Sequence, residues 1–190
     1  ILRDGTRRSY SMACAPRLDD KILELHIRHM PGGVFTDQLF SSMKERDILR
    51  IEGPLGTFCF NTDANLPCIF LASGTGFAPI KAIIEEMQQH NIQRPIHFYW
   101  GVRRPEDLYL NELAEQWARE IPDFKYIPVV SDALPEDNWQ GRTGLVHEAV
   151  MADFKRLFAY EVYACGAPIM VKSAHEAFIN ERDLPETAFY

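Results

Sequence analysis

The chain has no apolar run approaching the roughly 18 residues a helix needs to cross a bilayer, and no secretory hydrophobic segment opens it. Basic residues are in the minority: 20 Lys and Arg stand against 27 Asp and Glu, for a formal charge of −7. That balance excludes a binder of nucleic-acid backbones, whose affinity rests on lysine and arginine releasing counterions. Cysteine is sparse and scattered. Cys14, Cys59, Cys68 and Cys165 form no C-x-x-C pair, which excludes a zinc knuckle or a cysteine-rich iron–sulfur loop. The six histidines lack ligand spacing too, since "VHEAV" and "AHEAF" are not H-E-x-x-H, so no metal site is expected. Three of the cysteines lie in or beside apolar strand-like runs, where a buried, reduced thiol is the default. A reducing, cytoplasmic compartment is expected.

What is present is a chain of 190 residues, 46% hydrophobic, enough for one domain or two small ones. Two patterns meet near Asn61–Pro67. Before that point strand signals dominate. In "KILELHIRHM", Leu23, Leu25 and Ile27 alternate with Glu24, His26 and Arg28, the period of a half-exposed strand. "DILRIEGPLGTF" reads as another strand closed by turn chemistry, and Phe35, Leu39 and Met43 mark one short helix between them. After Pro67, apolar strands at "CIFLAS", "IHFYWG", "YIPVVS" and "EVYACG" alternate with helical stripes. The helices are expected to start near Pro79, near Asn111 as an N-cap, across Leu145–Phe154, and at Pro168. Such alternation indicates a parallel sheet covered on both faces, with ligands beyond its carboxyl ends. The reading therefore divides the chain into a β-rich piece at 1–62 and an α/β domain at 66–190. Three strands and one short helix cannot close a barrel, so further strands are expected upstream of Ile1.

Three segments carry candidate ligand chemistry. In "CIFLASGTGFAPIKAIIEEM", Gly74 and Gly76 let the backbone approach a ligand, and the following helix aims free N–H groups and its positive dipole end at the same place. The turn is neither G-x-G-x-x-G nor G-x-x-x-x-G-K-[ST], which disfavours P-loop chemistry. Its bland alternative is a tight βα turn that holds nothing. In "RRSYSMA", Arg8 and Tyr10 share one face of an extended segment, one suited to a phosphate and the other to a flat ring, with Ser11 beside them. The alternative is a surface strand. In "PGGVFTDQL", Gly32 and Gly33 precede a helix whose first turn holds Thr36, either an anion-binding helix start or plain capping. Together the three suggest two dinucleotides.

In order, R-x-Y-S, G-G-x-x-[ST], G-P-L-G-x-F, G-T-G-x-A-P and C-G-x-P resemble the ferredoxin–NADP reductase superfamily, over Arg8 to Tyr190. The closer likeness is to NAD(P)H-dependent FAD reductase components of bacterial oxygenases and to CDP-6-deoxy-sugar dehydrase reductases. The resemblance implies an antiparallel six-stranded FAD-binding β-barrel, of which this chain holds the C-terminal part, followed by an NAD(P)-binding domain. It implies that Arg8 pairs with the FAD pyrophosphate, that Tyr10 packs on the isoalloxazine, and that Ser11 hydrogen-bonds near flavin N5. Gly32, Gly33 and Thr36 would hold the FAD phosphates. Gly74, Thr75 and Gly76 would line the nicotinamide and pyrophosphate passage, with Pro79 fixing the helix start. Cys165 and Gly166 would sit against nicotinamide C4, and "ETAFY" resembles the family's C-terminal strand. One departure is Cys14, at a position where many members carry Ser or Asn.

The implied reaction passes a hydride from NAD(P)H to FAD and then single electrons to an iron–sulfur or other metal-centre acceptor on another protein or domain. Since hydride transfer needs no nucleophile, Cys165 reads as a packing contact. Asp132, in "VVSDALPED", favours NADH by accepting from a ribose 2′-hydroxyl. Arg103, Arg104 and Arg142 supply nearby positive charge that would favour NADPH. A free-flavin reductase of the same superfamily and a non-catalytic nucleotide-binding electron-transfer subunit are the alternatives.

Overall fold

The computed structural model describes residues 1, 5–16 and 22–190. After Pro67 the chain alternates as its apolar runs require. The order is β1 (Cys68–Ser73), α2 (Phe77–Gln89), β2 (Ile96–Val102), α3 (Asn111–Glu120), β3 (Phe124–Val130), β4 (Arg142–Thr143), α4 (Val146–Asp153), β5 (Glu161–Cys165) and α5 (Pro168–Arg182). Helix α1 (Val34–Ser41) precedes them. The strands form one parallel sheet in the order β4-β3-β2-β1-β5. Chain direction across the sheet reverses between β1 and β5, and at such a switch point the crevice beyond the strand ends stays open.

β1 is apolar at every position because both its faces are covered. Phe70 and Ala72 face α2 and α3, packing with Ile80, Ile84, Trp100 and Trp117. Ile69 and Leu71 face α4 and α5, packing with Val150, Val162, Ala174 and Phe178. The expected C-terminal extension lies beside β5: Phe189 bridges Val162 in parallel, and Tyr190 stacks on Tyr163 at 4.7 Å.

Two local expectations are corrected, and one short strand is added. Asn111 is the first residue of α3 and not its cap; Leu110 holds that place. The Asn111 amide instead bonds Glu115 at 2.7 Å and accepts from the Tyr126 hydroxyl at 2.9 Å. The two-residue β4 was not foreseen, being too short for any periodicity. Among the described residues the expected strands around 21–30 and 47–58 are not formed. What remains is one antiparallel bridge, Met12 to Leu25, with the Ala13 N–H donating to Glu24. A strand needs a neighbour for its ladder, and in the second segment Ile48, Ile51 and Leu55 stay 98%, 58% and 75% exposed.

Two ion-pair nodes, one buried and one partly buried, fasten the first 62 residues to the sheet. At the amino end of the strands, Arg94 pairs with Glu161 at 2.6 Å and donates to the carbonyls of Asn61 and Leu66. The Asn61 side chain donates to Glu161 in turn at 2.9 Å. Toward the carboxyl end, Lys81 on α2 reaches the Ala13 carbonyl at 2.7 Å, Glu24 at 2.9 Å and Glu85 at 2.7 Å.

Candidate active site

β1 ends at Ser73, and a single 3₁₀ turn, Gly74–Gly76, leads directly into α2. The two glycines do different work. Gly74 has φ +51°, and a Cβ built there meets nothing within 4 Å, so its backbone faces open space. A Cβ on Gly76 would collide with the Cys165 carbonyl, so this position lets the ends of β1 and β5 close on each other. The Trp100 indole N–H fixes the turn by donating to the Gly74 carbonyl at 2.9 Å. Ser73 adds a tie across the switch point by accepting from the Ala167 N–H at 2.8 Å.

Above this turn lies a cavity of about 750 Å³ whose walls come from both halves of the chain. Of the residues expected from sequence, the structure brings Tyr10, Ser11, Gly74, Thr75, Gly76, Arg103, Cys165 and Gly166 to its lining. Ser11 from the first half and Cys165 from the second both line it. Burial pushes the Cys165 thiol above its ordinary range, outweighing the opposing influence of the Ser11 side chain and the Gly166 backbone. Cys165 is therefore a neutral thiol near pH 7, ill suited to act as a nucleophile.

Arg8, Gly32, Gly33, Thr36, Pro79 and Asp132 lie outside the lining. Arg8 is exposed and donates to the Arg7 carbonyl at 2.8 Å. The Thr36 hydroxyl donates to the Met30 carbonyl at 2.9 Å and accepts from the Met30 N–H at 3.2 Å, holding the loop ahead of α1. Tyr10 packs against Phe35 of that helix at 5.6 Å. Pro79 is buried as the third residue of α2. Asp132 pairs with Arg103 at 3.1 Å on the exposed rim. The other arginines of that region are committed elsewhere, Arg104 to Asp137 at 2.8 Å and Arg142 to Asp153 at 2.6 and 2.7 Å.

Several lining residues escaped the sequence reading, His26, Arg28, Asp107 and His147 among them. His26 read only as the polar partner in a strand alternation. His147 is the second residue of α4, and its buried Nδ1 has no hydrogen-bond partner within the protein. Among the described residues no three His, Cys, Asp or Glu side chains converge as metal ligands. A second groove, about 280 Å³, lies at the opposite end of the sheet among Met87, Asn91, Ile92 and Pro122, with no glycine turn.

Comparison with known proteins agrees with this geometry. Residues 70–176, more than half of the chain, match the family described as oxidoreductase NAD-binding domain, and residues 1–60 match the oxidoreductase FAD-binding domain. The chain is 44% identical over its full length to the CDP-6-deoxy-L-threo-D-glycero-4-hexulose-3-dehydrase reductase of Yersinia pestis, covering 56% of that protein. It is 39% identical over 93% of its length to terephthalate 1,2-dioxygenase reductase component 1 of Comamonas sp, covering 52% of it. Among solved structures, the Amycolatopsis cytochrome P450 reductase GcoB superposes on the whole chain with a TM-score of 0.87 at 34% identity, over 57% of its own length. The chain thus spans about half the length of the curated relatives it matches. A switch-point crevice roofed by a FAD-domain segment, with both family matches in the same order, identifies the chain as a member of the oxidoreductase NAD-binding domain family, preceded by an oxidoreductase FAD-binding part.

Proposed function

We propose that the chain forms the nucleotide-binding core of an NAD(P)H-dependent FAD reductase that delivers electrons singly to an iron–sulfur or other metal-centre protein or domain. The observation that carries this reading is the shared cavity: Tyr10 and Ser11 from the FAD-binding part face Gly74, Thr75 and Cys165 from the NAD-binding part. The residues fit two dinucleotides. The open space at Gly74 accepts a pyrophosphate against the start of α2, and the orphaned Nδ1 of His147 offers a polar contact at the rim. When bound, FAD and the reduced nicotinamide supply hydride transfer between stacked rings.

The protein's part is placement. Tyr10 provides a flat wall, the Ser11 hydroxyl a polar contact, and Cys165 with Gly166 a small neutral floor for the nicotinamide. The backbone N–H groups at the start of α1, beyond Gly32 and Gly33, and the Arg8 guanidinium are assigned to the FAD phosphates, with Thr36 keeping that loop in shape. Pro79 holds the start of α2. Asp132 favours NADH, tempered by its Arg103 partner. The division is placed at 1–62 and 66–190, a reading supported by the Arg94 contacts to the Asn61 and Leu66 carbonyls between them. Four free cysteines suit a reducing, cytoplasmic setting. Among the described residues no helix is long and apolar enough to cross a membrane.

The test is an anaerobic titration with NADH of the intact protein loaded with FAD. A yellow, protein-retained flavin that bleaches with one equivalent of NADH is expected. A flavin lost on gel filtration would indicate the free-flavin alternative, and a retained flavin that neither NADH nor NADPH reduces would indicate a non-catalytic subunit; either overturns the proposal.

A further inference from the structure

The cavity wall that carries Tyr10 and Ser11 is not held by a continuous strand, so something else must fix its distance from the glycine turn. His26 sits at that junction. Its side chain is only 9% exposed, and both ring nitrogens are engaged: Nε2 with Glu24 at 2.8 Å, and Nδ1 with the Tyr109 hydroxyl at 2.7 Å. The ring stacks on Phe77, the first residue of α2, at 6.2 Å and 23°. Glu24 continues the relay to Lys81, which also grips the Ala13 carbonyl two residues beyond Ser11. Glu85, one turn further along α2, accepts from the Ala15 N–H at 3.1 Å. Burial alone would raise the Glu24 carboxyl, yet the hydrogen bonds from Lys81 and His26 hold it below its ordinary range, so Glu24 joins them as a carboxylate.

We infer that His26 is a positioning residue. Tied to Tyr109 on one side and through Glu24 and Lys81 to α2 on the other, it sets the gap between the Tyr10–Ser11 wall and the Gly74–Gly76 turn. Ring-to-ring geometry is steep in that gap, because a misplacement of about 1 Å can cost on the order of 100-fold in a positioned reaction. The inference rests on the proposed reductase reading and adds to it the device that holds the two rings in register.

Its test reads geometry without turnover. The intact protein, loaded with FAD and reduced by dithionite, is titrated with NAD⁺, and the long-wavelength charge-transfer absorbance of the stacked pair is measured alongside the NAD⁺ Kd and the Tm. His26→Leu, which removes both ring bonds, is expected to weaken the band by about threefold or more while the Kd changes by less than about threefold. His26→Gln, which keeps a donor and an acceptor, is expected to restore part of the band. Should His26→Leu not fold, Tyr109→Phe, lacking one hydroxyl, is expected to weaken the band in the same sense. An undiminished band in the folded variants, with only the Tm lowered, would show a purely structural role and overturn the inference. A wild-type protein that holds FAD but gives no band with either NAD⁺ or NADP⁺ would instead overturn the reductase reading, and this inference with it.

Discussion

Single side chains decide what the cavity can do chemically. Cys165 has the placement of a nucleophile and the electrostatics of a packing residue, since burial raises its thiol more than Ser11 and Gly166 lower it. The direction matters for pH. A thiol whose folded-state value lies above the ordinary 9.0 stays protonated through neutrality and becomes reactive only at higher pH. Iodoacetamide labelling followed by mass spectrometry is therefore expected to modify exposed Cys59 first, and Cys165 slowly until the pH passes 9.0. Rapid labelling of Cys165 at pH 7 would contradict this. Cys165 itself was legible in the sequence as the end of an apolar strand. His26 was not, because alternation records only that it is polar and cannot show that its ring meets Tyr109, 83 positions away.

At the scale of elements, the strand–turn–helix unit from Cys68 to Gln89 matches its sequence pattern closely, because burial on two faces and the stripe of Ile80, Ile83, Ile84 and Met87 leave few alternatives. The pattern could not separate the roles of its glycines. Gly76→Ala forces a Cβ into the Cys165 carbonyl, where backbone cannot yield as a side chain could, and is expected to destabilise the fold by about 2–3 kcal/mol. Gly74→Ala meets no neighbour and carries only its left-handed φ of +51°, a cost of about 1 kcal/mol. Because Gly74 faces the cavity, its variant is expected to weaken NAD⁺ binding about tenfold. Thermal unfolding paired with NAD⁺ titration checks both, and the opposite order of stabilities would contradict the assignment. The first 62 residues were read less well. Their alternation predicts strands, yet a strand exists only with a partner, and among the described residues that partnership reduces to Met12 and Leu25.

Across the whole molecule, two charge nodes, one buried and one partly buried, tie the two halves together. Arg94 and Glu161 hold the linker beneath the sheet, with side chains 3% and 4% exposed, while Lys81 holds the ring-packing segment near its top. Neither node could be read from sequence, since a lysine on a helical stripe or an arginine before a strand gives no sign of burial. The consequence is functional: the cavity at the switch point has fixed walls contributed by both halves. Amide chemical shifts of the intact, FAD-loaded protein during NAD⁺ titration test that claim most directly. Ser11, Gly74, Thr75 and Gly166 are expected to shift together at one Kd, while Asn91 and Ile92 at the opposite groove stay still. Shifts confined to Asn91 and Ile92, or Ser11 unmoved while Gly74 responds, would contradict a site shared between the two halves.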